Sequence, residues 1–208
     1  MTEIKILIVE DEPIIAEDIL SALEKNEFQV SAIAYDMQDA MYELEHNTPD
    51  LALLDINLNG DQEGIMIANK ISKEYHLPFV FLTSYSDKGT LEKAKHTEPS
   101  GYIVKPFSEA SLYSTIEIAL YNFAQKNKKK FPDLSLLKIN KSLSDPLSER
   151  EFELIQLIYE GCTNQQIADQ LFISLNTVKK HINHMYLKLD SHSRSSTIAR
   201  LRALMMQV

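Results

Sequence analysis

The amino-acid sequence predicts an α/β domain built on a five-stranded parallel sheet, followed by a small all-α domain. Three observations predict it. Residues 1 to 122 alternate short β-rich apolar runs with amphipathic stretches, in five βα units. The runs show little polar alternation, which implies burial on both faces and therefore a parallel sheet with helices on each side. Beyond residue 145 the pattern changes to helix alone.

The strands are read at IKILIV (4 to 9), FQVSAI (28 to 33), LALLD (51 to 55), FVFLT (79 to 83) and YIV (102 to 104). Between them, Ile15, Ile19, Leu20 and Leu23 share one helix face, as do Ile67, Ala68 and Ile71, and a last helix follows Pro106. Residues 125 to 146 carry a basic run, two prolines and no sustained period, which reads as a mostly irregular linker with room for one short helical turn. Ser148 then precedes the apolar series Phe152, Leu154, Ile155, Leu157 and Ile158, with Glu151 placed to complete a capping box and Gly161 to end the helix. Three further helices are expected at about 164 to 171, 175 to 189 and 194 to 206.

Length supports this division, since 208 residues suit one domain of average size plus a small one. No apolar run approaches the ~20 residues that span a bilayer, no signal peptide opens the chain, and Cys162 is the only cysteine, so a reducing cytoplasm is the expected setting. Charge is divided unevenly. Residues 1 to 122 carry 22 acidic against 8 basic side chains, a net of −14, while residues 123 to 208 carry 8 against 13, a net of +5. An acidic surface repels nucleic acid, whereas a small basic module can neutralise phosphates and release counterions.

Five positions in the first domain sit at strand ends: Glu10 and Asp11 after the first, Asp55 closing the third, Thr83 closing the fourth and Lys105 after the fifth. Right-handed crossovers would bring these ends to one edge of the sheet, where α/β folds bind their ligands. Three converging carboxylates repel one another and call for a divalent cation; oxygen ligands with open positions favour Mg²⁺. Asp55 then serves as a nucleophile, Lys105 as a cation and the Thr83 hydroxyl as a donor to a phosphoryl oxygen. Singly, an Asp after a strand is a turn former and a Lys-Pro pair is a loop. The joint pattern at ordered strands is what points to phosphoryl transfer.

The segments ILIVEDEP, LALLDINL, FLTS and GYIVKPF resemble, in order and spacing, the signature blocks of the receiver domain of two-component response regulators, a flavodoxin-like, doubly wound fold. The resemblance spans almost all of residues 1 to 122. It implies that Asp55 is the phospho-acceptor, that Asp11 ligates the metal directly and Glu10 through water, and that Asn57 supplies a backbone carbonyl to it. Thr83 and Tyr102 match the family's switch pair, and Lys105 precedes Pro106, whose peptide bond is typically cis in the family. The sequence departs from the pattern after Asp55: Asn57 to Gly64 lacks the usual proline and looks one residue longer. Ser84 and Tyr85 occupy positions where family members vary.

The segment from about 145 to 205 resembles the LuxR-type helix-turn-helix of the NarL/FixJ class. Ile167, Ala168 and Leu171 form the inner face of a scaffold helix, and Ile173 and Val178 fill the angle between helices. The second helix presents Asn176, Thr177, Lys179, Lys180, Asn183, His184 and Lys188 outward, suited to a major groove. By family position Lys179, Lys180 and Asn183 are the expected groove contacts, while Ser174, Thr177 and His181 bond phosphates or hold the helix. The His181 and His184 pair has no Cys or carboxylate at ligand spacing and is not read as a metal site. Cys162 is expected to be a buried structural thiol. Lysines 128 to 130 of the linker can touch only backbone or solvent.

These readings give a receiver domain at 1 to 122, a linker at 123 to 144 and a DNA-binding domain at 145 to 208. The implied partners are a sensor histidine kinase or phosphorelay donor, double-stranded DNA and a second copy of the chain when active, with no membrane. A rival reading is a phosphohydrolase that forms an aspartyl-phosphate. It lacks a substrate-capping segment, so the expectation is a regulator and not an enzyme. A second rival, an output domain for protein or RNA, fits the basic outward helix face less well.

Overall fold

A computed structural model describes residues 3–26, 28–84, 88–128, 130–131 and 133–206; Tyr85, Lys129 and Pro132 lie outside them. The chain divides into two compact units, Ile4–Leu120 and Tyr121–Val208.

The first unit runs β1 (Ile4–Val9), α1 (Pro13–Lys25), β2 (Phe28–Ala34), α2 (Met37–Asn47), β3 (Leu51–Asp55), α3 (Glu63–Lys70), β4 (Phe79–Thr83), α4 (Lys88–Lys95), β5 (Gly101–Val104) and α5 (Glu109–Lys128), the last continuing into the second unit. Every strand pair is parallel, in the order β2-β1-β3-β4-β5. The strands alternate their side chains between two cores, as the two-residue period requires. Ile4, Ile6, Ile8, Leu51, Leu53, Val80 and Leu82 pack with α1 and α5. Leu7, Val9, Ala52, Leu54, Phe79 and Phe81 pack with α2, α3 and Ala94 of α4. Two buried faces explain why the strand runs lack polar alternation. The strand order reverses between β1 and β3, and in open α/β sheets ligands bind at that switch point, beyond the carboxyl ends of the strands.

Local signals set several element ends. Pro13 stands at the first position of α1, where its missing N–H costs nothing. Asp36 caps α2 by accepting from the Asp39 N–H at 2.8 Å. A widened turn, Ile71–Tyr75, prolongs α3 and stops at His76, which adopts a left-handed φ of 52°.

The second unit contains α6 (Leu136–Asn140), α7 (Glu149–Tyr159), α8 (Asn164–Leu171), α9 (Leu175–Lys188) and α10 (Arg194–Met206). Its core joins Ile139, Leu154, Ile155, Ile158, Ile167, Val178, Ile182, Met185 and Leu201. The capping box of Ser148 and Glu151 opens α7 as expected, and a second, of Thr163 and Gln166, opens α8. Gly161, at φ 90°, follows the end of α7. The buried Arg194 guanidinium then donates to the Ile158 carbonyl at 3.2 Å and to that of Cys162, placing a cation at a helix C-terminus. The Cys162 thiol is buried, and burial pushes its pKa up.

The short helix allowed in the linker is α6, and the stretch is more ordered than an irregular tether. The side-chain amide of Asn140 bonds both backbone groups of Leu147, at 2.8 and 3.0 Å. Lys138 donates to the Met205 carbonyl at 2.8 Å, and Arg202 lies 4.4 Å from the Phe131 ring centre.

Candidate functional sites

The carboxyl ends of β1 and β3 are adjacent because these strands pair directly, Val9 opposite Leu54. Glu10 and Asp11 leave the first of these ends and Asp55 closes the second. One ligating oxygen from each of the three lies within 4.8 Å of the others. Glu10 is completely buried, and a buried charge must be paired. Lys105 supplies the partner: its Nζ donates to Glu10 Oε2 and to Asp55 Oδ2, both at 2.5 Å. It enters from the end of β5, where its N–H donates to the Thr83 carbonyl at 2.8 Å. The Lys105–Pro106 peptide bond is cis, as the resemblance implies.

Burial pushes the Glu10 carboxyl above the usual carboxylate range, with Lys105 opposing. Burial works to lower the Lys105 pKa, but hydrogen bonds and charge from Asp55 and Glu10 outweigh it and hold the ammonium above its ordinary value. Asp55 is 8% exposed; its Oδ1 accepts from the Asn57 N–H at 2.9 Å. An all-oxygen donor set with Asp11 half-exposed at its mouth could hold a hard divalent cation that keeps part of its water. Thr83 ends β4, beside β5 with Tyr102, whose ring centre is 5.8 Å from that of Phe81. The Tyr102 hydroxyl is buried, and burial raises its pKa.

Two features at this edge escaped the sequence reading. Gly64 packs directly on the end of β3, where an added Cβ would overlap the Asp55 carbonyl oxygen. In the preceding loop, the Asn59 N–H donates to Asp11 Oδ2 at 3.1 Å. A glycine early in a helix is a visible signal of close approach; the Asn59 bond, across 48 residues, leaves none.

In the second unit, α8 and α9 form a helix-turn-helix. Val178, Ile182, Met185 and Tyr186 bury one side of α9, leaving Asn176, Lys180, Asn183 and His184 exposed on the other. Lys179, His181 and Thr177 are half-buried. Ser174 caps α9, its Oγ accepting from the Thr177 N–H at 3.1 Å and lying 2.8 Å from the Thr177 hydroxyl. Lys188 belongs to the domain interior more than to the outward face. Its ammonium donates to the Pro146 carbonyl at 2.9 Å and to Glu151 Oε2 at 3.0 Å. The physical reason is Glu151, a buried carboxylate in need of a cation. Leu187, 81% exposed, is an apolar addition to the end of the outward face that was not anticipated.

Comparison with known proteins adds to this geometry. Residues 6–117 match the family model of the response regulator receiver domain, and residues 145–201 that of bacterial regulatory proteins of the luxR family. The chain is 29% identical over 203 residues to the response regulator protein VraR of Staphylococcus saprophyticus, covering 94% of both chains. It is 27% identical over 205 residues to the oxygen regulatory protein NreC of Staphylococcus haemolyticus, covering 93% of this chain and 94% of the relative. It is 26% identical over 209 residues to the transcriptional regulatory protein LnrK of Bacillus subtilis, covering 92% and 93%. Among solved structures, the receiver domain of a modulated diguanylate cyclase from Desulfovibrio desulfuricans aligns with a TM-score of 0.55 and 31% identity, over 59% of this chain and 97% of that one. The beryllofluoride-activated receiver domain of Klebsiella pneumoniae RstA aligns with a TM-score of 0.51 and 28% identity, over 55% and 97%.

Proposed function

The chain belongs to the response regulators of two-component systems, with a receiver domain and a LuxR-family DNA-binding domain, and from that premise we propose that phosphorylation of Asp55 controls promoter binding through α9. The observation that carries this reading is Asp55 itself, held against the Lys105 ammonium at 2.5 Å within a cluster of three carboxylates.

In the proposed reaction a carboxylate oxygen of Asp55 attacks the phosphorus of a phosphohistidine on a sensor kinase. The new O–P bond forms as the P–N bond breaks, and the electron pair leaves with the imidazole. Lys105 balances the charge arriving on the phosphoryl oxygens, and the Thr83 hydroxyl donates to one of them. Glu10, Asp11, Asp55 and the Asn57 carbonyl would hold Mg²⁺, which supplies charge neutralisation between the carboxylates and the incoming phosphoryl group. Thr83 and Tyr102 act as the switch pair, and later attack by water returns the free carboxylate. Turnover is confined to this self-dephosphorylation. The cytoplasm, where kinase and promoter are both accessible, is the setting.

On the output side, Lys180 and Asn183 contact base edges in the major groove, with Asn176 and His184 beside them. Ser174, Thr177, Lys179 and His181 bond phosphates or fix the entry of α9. Lys188 is excluded from the contact set because its ammonium serves Glu151. Single small modules bind half-sites weakly, so activation works by favouring a homodimer that links two of them, by freeing the DNA-binding helices, or by both. The test is labelling from acetyl phosphate with Mg²⁺: the parent should take up one alkali-labile phosphate and Asp55→Asn none. Undiminished labelling of Asp55→Asn would reject the assignment.

A further inference from the structure

The loop between β3 and α3 is bonded at both ends to elements far away in sequence. Near its start, Asn59 adopts a left-handed φ of 51° and its N–H is bonded to Asp11. At its end, Gln62 stands at the cap position of α3, where a short polar side chain would normally fold back onto its own helix. The Gln62 side chain makes no such bond. It reaches across to α4 instead: Nε2 donates to Thr90 Oγ1 at 3.0 Å, and Oε1 accepts from Lys93 Nζ at 3.0 Å. Thr90 and Lys93 are one helical turn apart, so one carboxamide uses its donor and its acceptor on the same face of α4.

These two hydrogen bonds join the loop to α4. Among the described residues, Ala94 is the one side chain of α4 in the apolar core, and the helix's far end is secured by Ser72 Oγ donating to the Thr97 carbonyl at 2.9 Å. Tyr102 packs against the same core cluster as Ala94. Hydrogen bonds thus tie the loop to Asp11 at Asn59 and to α4 at Gln62, and Ala94 of α4 and Tyr102 share one core cluster.

We propose that Gln62 is a positioning residue that couples the loop beside the acidic cluster to α4, so that a change at Asp55 is delivered to the helix whose Ala94 shares a core cluster with Tyr102. The proposal rests on Asp55 being the phosphoacceptor. Gln62 touches none of the reacting atoms, so its removal leaves the chemistry in place and weakens the transmission.

The test is a double-mutant cycle on the full chain, with Gln62→Ala, Thr90→Val and the pair. Three quantities are read: phosphate incorporation from acetyl phosphate, and affinity for a duplex selected by the parent, with and without the phosphodonor and Mg²⁺. Incorporation should stay within about two-fold of the parent, while the phosphodonor-dependent gain in affinity falls by about three-fold or more in each single variant. The double variant should fall no further than Gln62→Ala alone, because the bond that Thr90→Val removes is one of the two that Gln62→Ala already removes. Lys93→Met, which removes the exposed bond and leaves no buried group unpaired, should shift the gain in the same direction and serves if Gln62→Ala is poorly folded. A parent gain that persists undiminished in the single variants, or losses that multiply in the double, would overturn the coupling while leaving the Asp55 reading intact. A parent with no gain would overturn the Asp55 reading and the coupling with it.

Discussion

Replacing Gly64 with alanine should damage both the fold and the chemistry of the first domain. Gly64 is the second residue of α3, and its added Cβ would overlap the Asp55 carbonyl oxygen and stand 2.8 Å from the carbonyl carbon and 3.0 Å from Ile56 Cα. All of these are backbone atoms at the end of a fully buried strand, so no side-chain rotation relieves the clash. The overlap with the carbonyl oxygen is the tightest, far inside the about 3.3 to 3.6 Å at which carbon–oxygen contacts settle, so the helix or the strand end must retreat by roughly 1.5 Å. Overpacking of this kind costs about 1 to 3 kcal/mol, and the better helix propensity of alanine returns less than about 1 kcal/mol. The retreat also moves Asp55, and a misplacement of about 1 Å can slow a reaction by about 100-fold. Urea denaturation of the full chain, followed through the receiver transition, reads the first effect; the initial rate of phosphate uptake from acetyl phosphate reads the second. Parent values for both would refute the reasoning that Gly64 is fixed by its approach to Asp55.

Two lysines of α9 should fail in opposite ways. Lys188→Ala leaves the buried Glu151 short of its cation and should destabilise the second domain by about 1 to 3 kcal/mol in chemical denaturation. Lys180→Ala, on the exposed face, should leave stability unchanged and cost about 1 to 3 kcal/mol at a cognate duplex in a binding titration, with less on a scrambled one. Glu151 also makes stability depend on pH. Burial works to raise its pKa, but the Ser148 N–H, the Lys188 ammonium and the Ser148 hydroxyl outweigh it and hold the carboxyl below the usual range. A lowered native pKa contributes stability that is full above the unfolded value and lost as pH falls through the native one. Glu151→Gln should therefore flatten the acid limb of the second domain's stability curve, measured by denaturation between neutral pH and about pH 3.

The sheet and the acidic site were legible because each depends on local signals. Short β-rich apolar runs with little polar alternation mark the strands, most fully the central β3 and least the edge strands β2 and β5, and Glu10, Asp11, Asp55, Thr83 and Lys105 stand at strand ends. The loop between β3 and α3 was visible as a departure from the usual pattern, but its bonds to Asp11, Thr90 and Lys93 span 28 to 48 residues and leave no trace in spacing. The basic run after Asn122 read as linker because it lacks an apolar period. Yet α5 continues to Lys128, whose ammonium pairs with Glu160 at 3.0 Å, a partner distant in sequence. Lys188 read as outward from helix position alone. Its direction is set by Glu151, which the sequence reading had assigned solely to a capping box.

The central claim, that phosphorylation of Asp55 governs DNA binding, is tested most directly by titrating a parent-selected duplex with the full chain, with and without acetyl phosphate and Mg²⁺, for the parent and for Asp55→Asn. A coupling of ordinary size should raise the parent's affinity by about five-fold or more on addition of phosphodonor and leave Asp55→Asn unmoved. An unmoved parent, or an equal gain in Asp55→Asn, would contradict it.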